Sequence, residues 1–148
     1  MLRGKIALVT GSAKGLGKRT ALTLAGLGCD VAVNYVNSEN EAYALTEQLK
    51  SLGVRSIAVQ ADVASRDDNA RLVETIERAW GTIDILVNNA GPFIRERRTF
   101  DEYELEEIEY LMRGNLLGVM ELDRLVLPGM KRKRWGRIIH FGFGRAAE

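Results

Sequence analysis

A short apolar run, Ile6-Ala7-Leu8-Val9, leads straight into Thr10-Gly11-Ser12-Ala13-Lys14-Gly15-Leu16-Gly17, and few folds accommodate that succession. The run reads as a buried strand, after which Leu16, Thr20, Leu24 and Leu27 fall on one face of a helical pattern. Strand, glycine turn and helix together aim unpaired backbone N–H groups and the positive end of a helix dipole at a phosphate. In that reading Gly11 makes the tight turn, Gly15 lets a pyrophosphate approach the backbone, and Gly17 lets the helix pack closely on the strand. Ser12 and Leu16 belong to the same phosphate-facing turn. The spacing is G-x-x-x-G-x-G, neither G-x-G-x-x-G nor G-x-x-x-x-G-K-[ST]. Glycines also gather in ordinary turns, so it is the place after a first strand that points to a dinucleotide.

Strand and helix patterns then alternate. Gly28 stops the first helix and Asp30 to Tyr35 reads as a second strand. Ser38-Glu39-Asn40-Glu41 is a capping box for a helix with Ala42, Leu45, Leu49 and Leu52 on its apolar face, ending at Gly53. Ser56 to Ala61 is a third strand. Ser65-Arg66-Asp67-Asp68 caps a helix that turns Leu72, Val73, Ile76 and Ala79 inward and stops at Gly81. Ile83 to Val87 is a fourth strand. Thr99 to Glu102 opens a long helical region carrying Tyr103, Ile108, Leu111, Val119, Leu122 and Val126, which Pro128 is expected to bend or end. Arg137 to Phe141 is a fifth strand. Connections this long call for a parallel sheet with right-handed crossovers. The fold expected is a single α/β, Rossmann-type doubly wound domain over residues 1–148, with strand order 3-2-1-4-5 and a cofactor across the ends of strands one and four.

Composition narrows the function. A net charge of +1 gives no electrostatic ground for nucleic acid or an acidic membrane as partner. One cysteine, Cys29, and one histidine exclude a disulfide framework and argue against a His/Cys metal site. No apolar stretch is long enough to span a bilayer, and the N-terminus runs into a strand without a signal peptide, so a cytoplasmic protein is expected.

Several polar residues stand where a dinucleotide would lie. The second strand ends in Asn34-Tyr35, where an NAD site offers an acid to the ribose hydroxyls; Lys14 sits inside the glycine turn. Both features favour NADP(H) over NAD(H), with Asn37 and Ser38 as further partners for a 2′-phosphate unless Ser38 serves as a helix cap. The alternative leaves Lys14 a solvated turn residue and Tyr35 a plain strand end. Asp62-Val63 follows the third strand, where the carboxylate either accepts from an adenine amino group or is solvated in a loop. Asn88-Asn89-Ala90-Gly91 closes the fourth strand at the switch point, and its small side chains leave room for a cofactor. Asn115 shares a helix face with Leu111, Val119 and Leu122, so its amide is expected to be buried; the alternative is a kink beside Gly114 and Gly118. The run Lys131-Arg132-Lys133-Arg134 reads as a solvated helix end that compensates the dipole.

The ordered set of Thr10 to Gly17, Asp62-Val63, Asn88 to Gly91, Asn115-Leu116-Leu117-Gly118 and Leu127-Pro128-Gly129-Met130 resembles the short-chain dehydrogenases/reductases. Trp135-Gly136-Arg137-Ile138-Ile139 fits as well, and the flavour is similar to 3-oxoacyl-acyl-carrier-protein reductases. The resemblance implies an NADP(H) domain acting on a small-molecule carbonyl or alcohol. It makes Asn115 the catalytic asparagine that holds a water in a proton relay. Asn88 then stabilises the sheet, Asn89, Ala90 and Gly91 lie along the cofactor, and the long helix packs against another subunit as a homo-oligomer. Two departures accompany it. Gly142-Phe143-Gly144 stands where the family's catalytic serine is expected, and none of Tyr35, Tyr43, Tyr103 and Tyr110 is followed four residues later by lysine. The chain is therefore expected to be the N-terminal part of such a reductase, truncated after the fifth strand. The open alternatives are a non-catalytic dinucleotide-binding module, such as a redox sensor or partner subunit, and an inactive truncated chain.

Overall fold

Buried on both faces, β1 (Ile6–Val9) is the axis of a five-stranded parallel sheet. The computed structural model describes residues 2–93 and 98–142. Around β1 the order is β3-β2-β1-β4-β5, with β2 Asp30–Tyr35, β3 Ser56–Gln60, β4 Ile85–Asn88 and β5 Arg137–His140. A continuous apolar run is what such a position demands, because helices cover both sides of a parallel sheet. Ala7 and Val9 face one core with α1 (Gly15–Gly26) and α2 (Glu39–Ser51). Ile6 and Leu8 face the other, with α3 (Arg66–Trp80) and α5 (Gly118–Lys133). The register pairs Val9, the last residue of β1, with both Val33 and Val87, so β2 runs two residues and β4 one residue past it. Functional residues just beyond those ends are thereby brought to one edge.

The helices differ in detail from the sequence expectation. α1 buries Gly17, Ala21, Leu24 and Ala25, whereas Leu16 and Leu27 are exposed. Small residues face inward because the helix lies too close to β1 for a leucine stripe. α2 buries Ala42, Leu45 and Leu49 as expected, but Leu52 lies past its end and is exposed. Its capping box does not form among the described residues: Ser38 makes no side-chain cap bond, and Glu41 turns instead to Lys14. In α3 the Ser65 hydroxyl does accept from the Asp68 N–H, while Ala79 is exposed.

The long helical region is broken into parts. A 3₁₀ turn at Phe100–Glu102 precedes α4 (Leu105–Met112), which buries none of its residues. A π-helical turn over Arg113–Leu117 then joins α4 to α5. Pro128 does not end α5, which runs on to Lys133 and stops at Arg134 in a left-handed conformation. The basic run at that end is more than a solvated surface. Lys133 Nζ lies 2.9 Å from Oδ1 of the buried Asp84, whose Oδ2 accepts from the Ile6 N–H. Among the described residues no helix is long and apolar enough to cross a membrane.

Candidate functional site

Where β1, β2 and β4 end, side chains from separate elements tie the glycine turn in place. The Gly11 N–H donates to Asn34 Oδ1 at 3.0 Å. Asn34 Nδ2 donates onward to the carbonyls of Val59 and Ala61 at 3.3 and 3.0 Å, linking the turn to the end of β3. From the other side, Asn89 Nδ2 donates to the carbonyls of Thr10 and Gly11. Thr10 Oγ1 accepts from the N–H groups of Asn89 and Ala90. These groups are buried or half-buried, and leaving a buried one unpaired costs roughly 1–3 kcal/mol, so the bonds hold the turn in this shape.

Two of the glycines have different jobs. A Cβ on Gly17 would stand 2.6 Å from both Asn89 Nδ2 and the Gly11 carbonyl, so this position serves packing. Gly15, at φ +56°, has nothing within 4 Å of the same point among the described residues. That open ground is what a pyrophosphate approaching the backbone needs.

A cleft of about 510 Å³ opens above the turn. Its wall brings together Gly11, Lys14, Leu16, Tyr35, Asn37, Ser38, Asp62, Val63, Asn89, Ala90 and Gly91, all expected from the sequence. Gly15, Gly17 and Ser12 are not on that wall. Ser12 is fully buried, and its hydroxyl donates to the Val9 carbonyl at 2.7 Å and accepts from the Asn34 N–H, so it braces the turn and cannot reach a ligand. Tyr35 borders the cleft, yet its ring is buried beside Tyr43 and its hydroxyl donates to Glu39 at 3.4 Å. Burial, then the Glu39 carboxylate, raises that phenol above its ordinary pKa.

The charged groups are also positioned. Lys14 Nζ pairs with Glu41 Oε1 at 2.7 Å. Asp62 donates its N–H to Asp68 Oδ2, and its own Oδ1 accepts from the Ala64 N–H. The Asp62 N–H, with Arg71, holds Asp68 below the usual carboxylate range. Sequence reasoning had given neither Asn34 nor Tyr110 a part in the cleft, and had not paired Glu41 with Lys14. Asn34 carried a signal, being a polar residue that follows the apolar run Val31-Ala32-Val33 in a buried strand. Tyr110 reaches the cleft from α4, and burial followed by the Asp62 charge raises its phenol.

Asn115 is brought to an adjoining cavity of about 420 Å³, lined also by Gly91, Pro92, Phe93, Leu111, Phe141 and Gly142. It is exposed, not buried as expected, because the π-helical turn swings it off the core face of the helix. Its Nδ2 donates to the carbonyls of Pro92 at 2.7 Å and Leu111 at 3.0 Å. Its Oδ1 faces Gly91, where a Cβ would collide with it. Gly114 rests against the Pro92 ring in the same way, so small residues let this helix close on the loop after β4. Asn88 turns to the other face, where its Nδ2 donates to Asp123 at 2.9 Å; Asp123 Oδ2 in turn lies 3.0 Å from His140 Nε2. Phe143 and Gly144, in the expected place of the serine, lie outside the described residues.

Comparison with known proteins places these features in a group. The family model described as short chain dehydrogenase matches residues 5–142. A putative oxidoreductase of Bacillus subtilis, YtkK, is 38% identical over 141 residues, which cover 95% of this chain and 55% of that protein. The 3-oxoacyl-[acyl-carrier-protein] reductase FabG of Staphylococcus epidermidis is 40% identical over 136 residues, covering 92% of this chain and 55% of the relative. The chain thus spans about half the length of these curated relatives. Among solved structures, a short-chain dehydrogenase of Burkholderia cenocepacia in complex with NADP superposes with a TM-score of 0.87 at 34% identity, covering 99% of this chain and 60% of that one. A blue fluorescent protein from a metagenomic library, in complex with NADPH, gives 0.90 at 35% identity, with 99% and 60% covered.

Proposed function

The chain belongs to the short-chain dehydrogenase family, and from that premise we propose that its residues carry the dinucleotide-binding part of an NADP(H)-dependent oxidoreductase. Its substrate class is a small carbonyl or alcohol, with a 3-oxoacyl thioester as one candidate. The observation that carries the reading is the convergence on one cleft of Gly11 and Lys14, Asn37 and Ser38, Asp62 and Val63, and Asn89 to Gly91. The bare ground over Gly15 fits a pyrophosphate, and a side chain there would fill it.

When bound, the cofactor supplies the hydride. Lys14, Asn37 and Ser38 hold the 2′-phosphate, and the Ser38 hydroxyl is spared for this because it makes no cap bond. Asp62 keeps one carboxylate oxygen on the Ala64 N–H, leaving the other to accept from an adenine amino group. Ala90 and Gly91 keep the passage toward the second cavity free of bulk, and Asn115 stands at that cavity to hold a water for proton transfer. The exposed Leu105, Met112, Leu116 and Met120 along α4 and α5 offer a surface to a second copy of the chain.

Titration of NADPH and NADH by fluorescence tests the cofactor. A charge-assisted phosphate contact is worth roughly 1.5–3 kcal/mol, which sets an expected preference of more than about tenfold for NADPH. Equal affinities would remove Lys14 from the site. A second reading, a binding module without turnover, is favoured by one feature: Gly142-Phe143-Gly144 offers no hydroxyl where the family's catalytic serine is expected.

A further inference from the structure

The strand end at Tyr35 lacks an acid, but the fold restores one from the next helix. Lys14 leaves the glycine turn in an extended conformation and reaches the first turn of α2, where its ammonium meets Glu41 Oε1 at 2.7 Å. Both side chains are accessible, at 62% and 47% exposure, and Lys14 itself lies on the cleft wall. Lys14, Asn37 and Ser38 line that cleft. The neighbouring Glu39 is occupied differently, with Tyr35 donating to it. Glu41 is thus the carboxylate that meets whatever approaches Lys14.

We infer that Glu41 is a specificity-determining residue that competes with a 2′-phosphate for Lys14 and thereby weakens the discrimination between phosphorylated and unphosphorylated adenine dinucleotides. This rests on the proposed binding of NADP(H) in the cleft. A 2′-phosphate must take the ammonium from Glu41 or share it, and sharing brings two anions together. A plain 2′-hydroxyl meets no such repulsion and can donate to the same carboxylate. An exposed ion pair is weak, so the gate is shallow, but it acts on one of the two ligands only.

Adenosine 2′,5′-bisphosphate and adenosine 5′-monophosphate isolate this half of the cofactor and are the probes to use. With Glu41→Gln, the bisphosphate is expected to bind about three- to fivefold tighter, while the monophosphate changes by less than about twofold or weakens. In a Lys14→Gln background the gain from Glu41→Gln is expected to fall below about twofold, because there is no longer a cation to release. A thermal melt checks that each variant is folded, which an exposed side chain on α2 should not disturb. No gain, an equal gain for both nucleotides, or an undiminished gain without Lys14 would overturn the inference while leaving the cofactor reading intact. Failure of either nucleotide, and of NADPH, to bind the unaltered chain would overturn both.

Discussion

The two flanks of the cleft are built on opposite principles. On the β1–β2 side, the strands and the base of the glycine turn at Ser12 and Gly17 are buried, and Gly11, Ser12, Asn34 and Asn89 are held through bonds that close within the chain. On the α4–α5 side, α4 buries nothing, Leu105 and Met120 are 64% and 59% exposed, and β5 is exposed along most of its length. The first flank is preorganised, so it can offer affinity without ordering itself on binding. The second carries Asn115 and leaves large apolar side chains exposed, and segments with so few buried contacts open first. On the proposed reading, binding and chemistry would therefore rest on regions of unequal stability.

The largest expected effect lies on the weaker flank. The purified 148-residue chain is expected to bind NADPH but to reduce ketones, β-ketoacyl thioesters and quinones no faster than background. Hydride arrival on a carbonyl leaves an alkoxide, and a positioned acid typically contributes about 10²–10⁴-fold to its protonation. The resemblance assigns that task to a tyrosine with a nearby lysine, a spacing absent from these residues. Following nicotinamide absorbance would settle it. Turnover by sequence-verified protein would move the proton donor to Tyr103, Tyr110 or His140, and the α4–α5 side would then be a working catalytic surface as it stands.

The glycine turn sharpens the comparison from the stable side, where two similar substitutions should separate. Gly17→Ala puts a methyl group against Asn89 and the Gly11 carbonyl and is expected to cost about 1–3 kcal/mol in a urea melt. Gly15→Ala meets no atom, and its positive φ costs roughly 1–2 kcal/mol. Yet its methyl group occupies the pyrophosphate's approach, so NADPH affinity should fall more than tenfold. If Gly15→Ala bound NADPH normally, the open ground above it would not be a phosphate site.

What the sequence disclosed follows the same division. Strand order, the glycine turn and most cleft residues were legible because they rest on local periodicity and on strands buried on both faces. The bonds that finish the site were not. Asn34 joins Gly11 to Val59 and Ala61, and Lys14 finds Glu41, through pairings between residues far apart in the chain. No local pattern encodes them. Nor did the sequence disclose that the tight bend turns the Ser12 hydroxyl back on the Val9 carbonyl. On the α4 side, Ile108, Leu111, Val119, Leu122 and Val126 read as one continuous helix, and the π-helical turn lies in the gap between Leu111 and Val119, where no apolar position of that set marks it.

Asn115 is where that turn has its sharpest consequence, and it carries the smallest expected effect. Were the amide buried, Asn115→Leu would relieve a desolvation cost and leave the chain as stable or more so. It is exposed, so there is little such cost to recover, and the substitution instead removes the donations to the Pro92 and Leu111 carbonyls. Those carbonyls can turn to water, which limits the loss to about 0.5–1.5 kcal/mol. For a chain of this size that is a fall of a few degrees in Tm. NADPH affinity should stay within about twofold, because Asn115 borders the second cavity and not the cleft that holds Lys14 and Asp62. A loss well above 2 kcal/mol would make Asn115 the clamp that holds the π-helical turn against the loop after β4. A tenfold drop in affinity at unchanged stability would instead join the two cavities into one binding site, and the contrast between the flanks would no longer separate binding from chemistry.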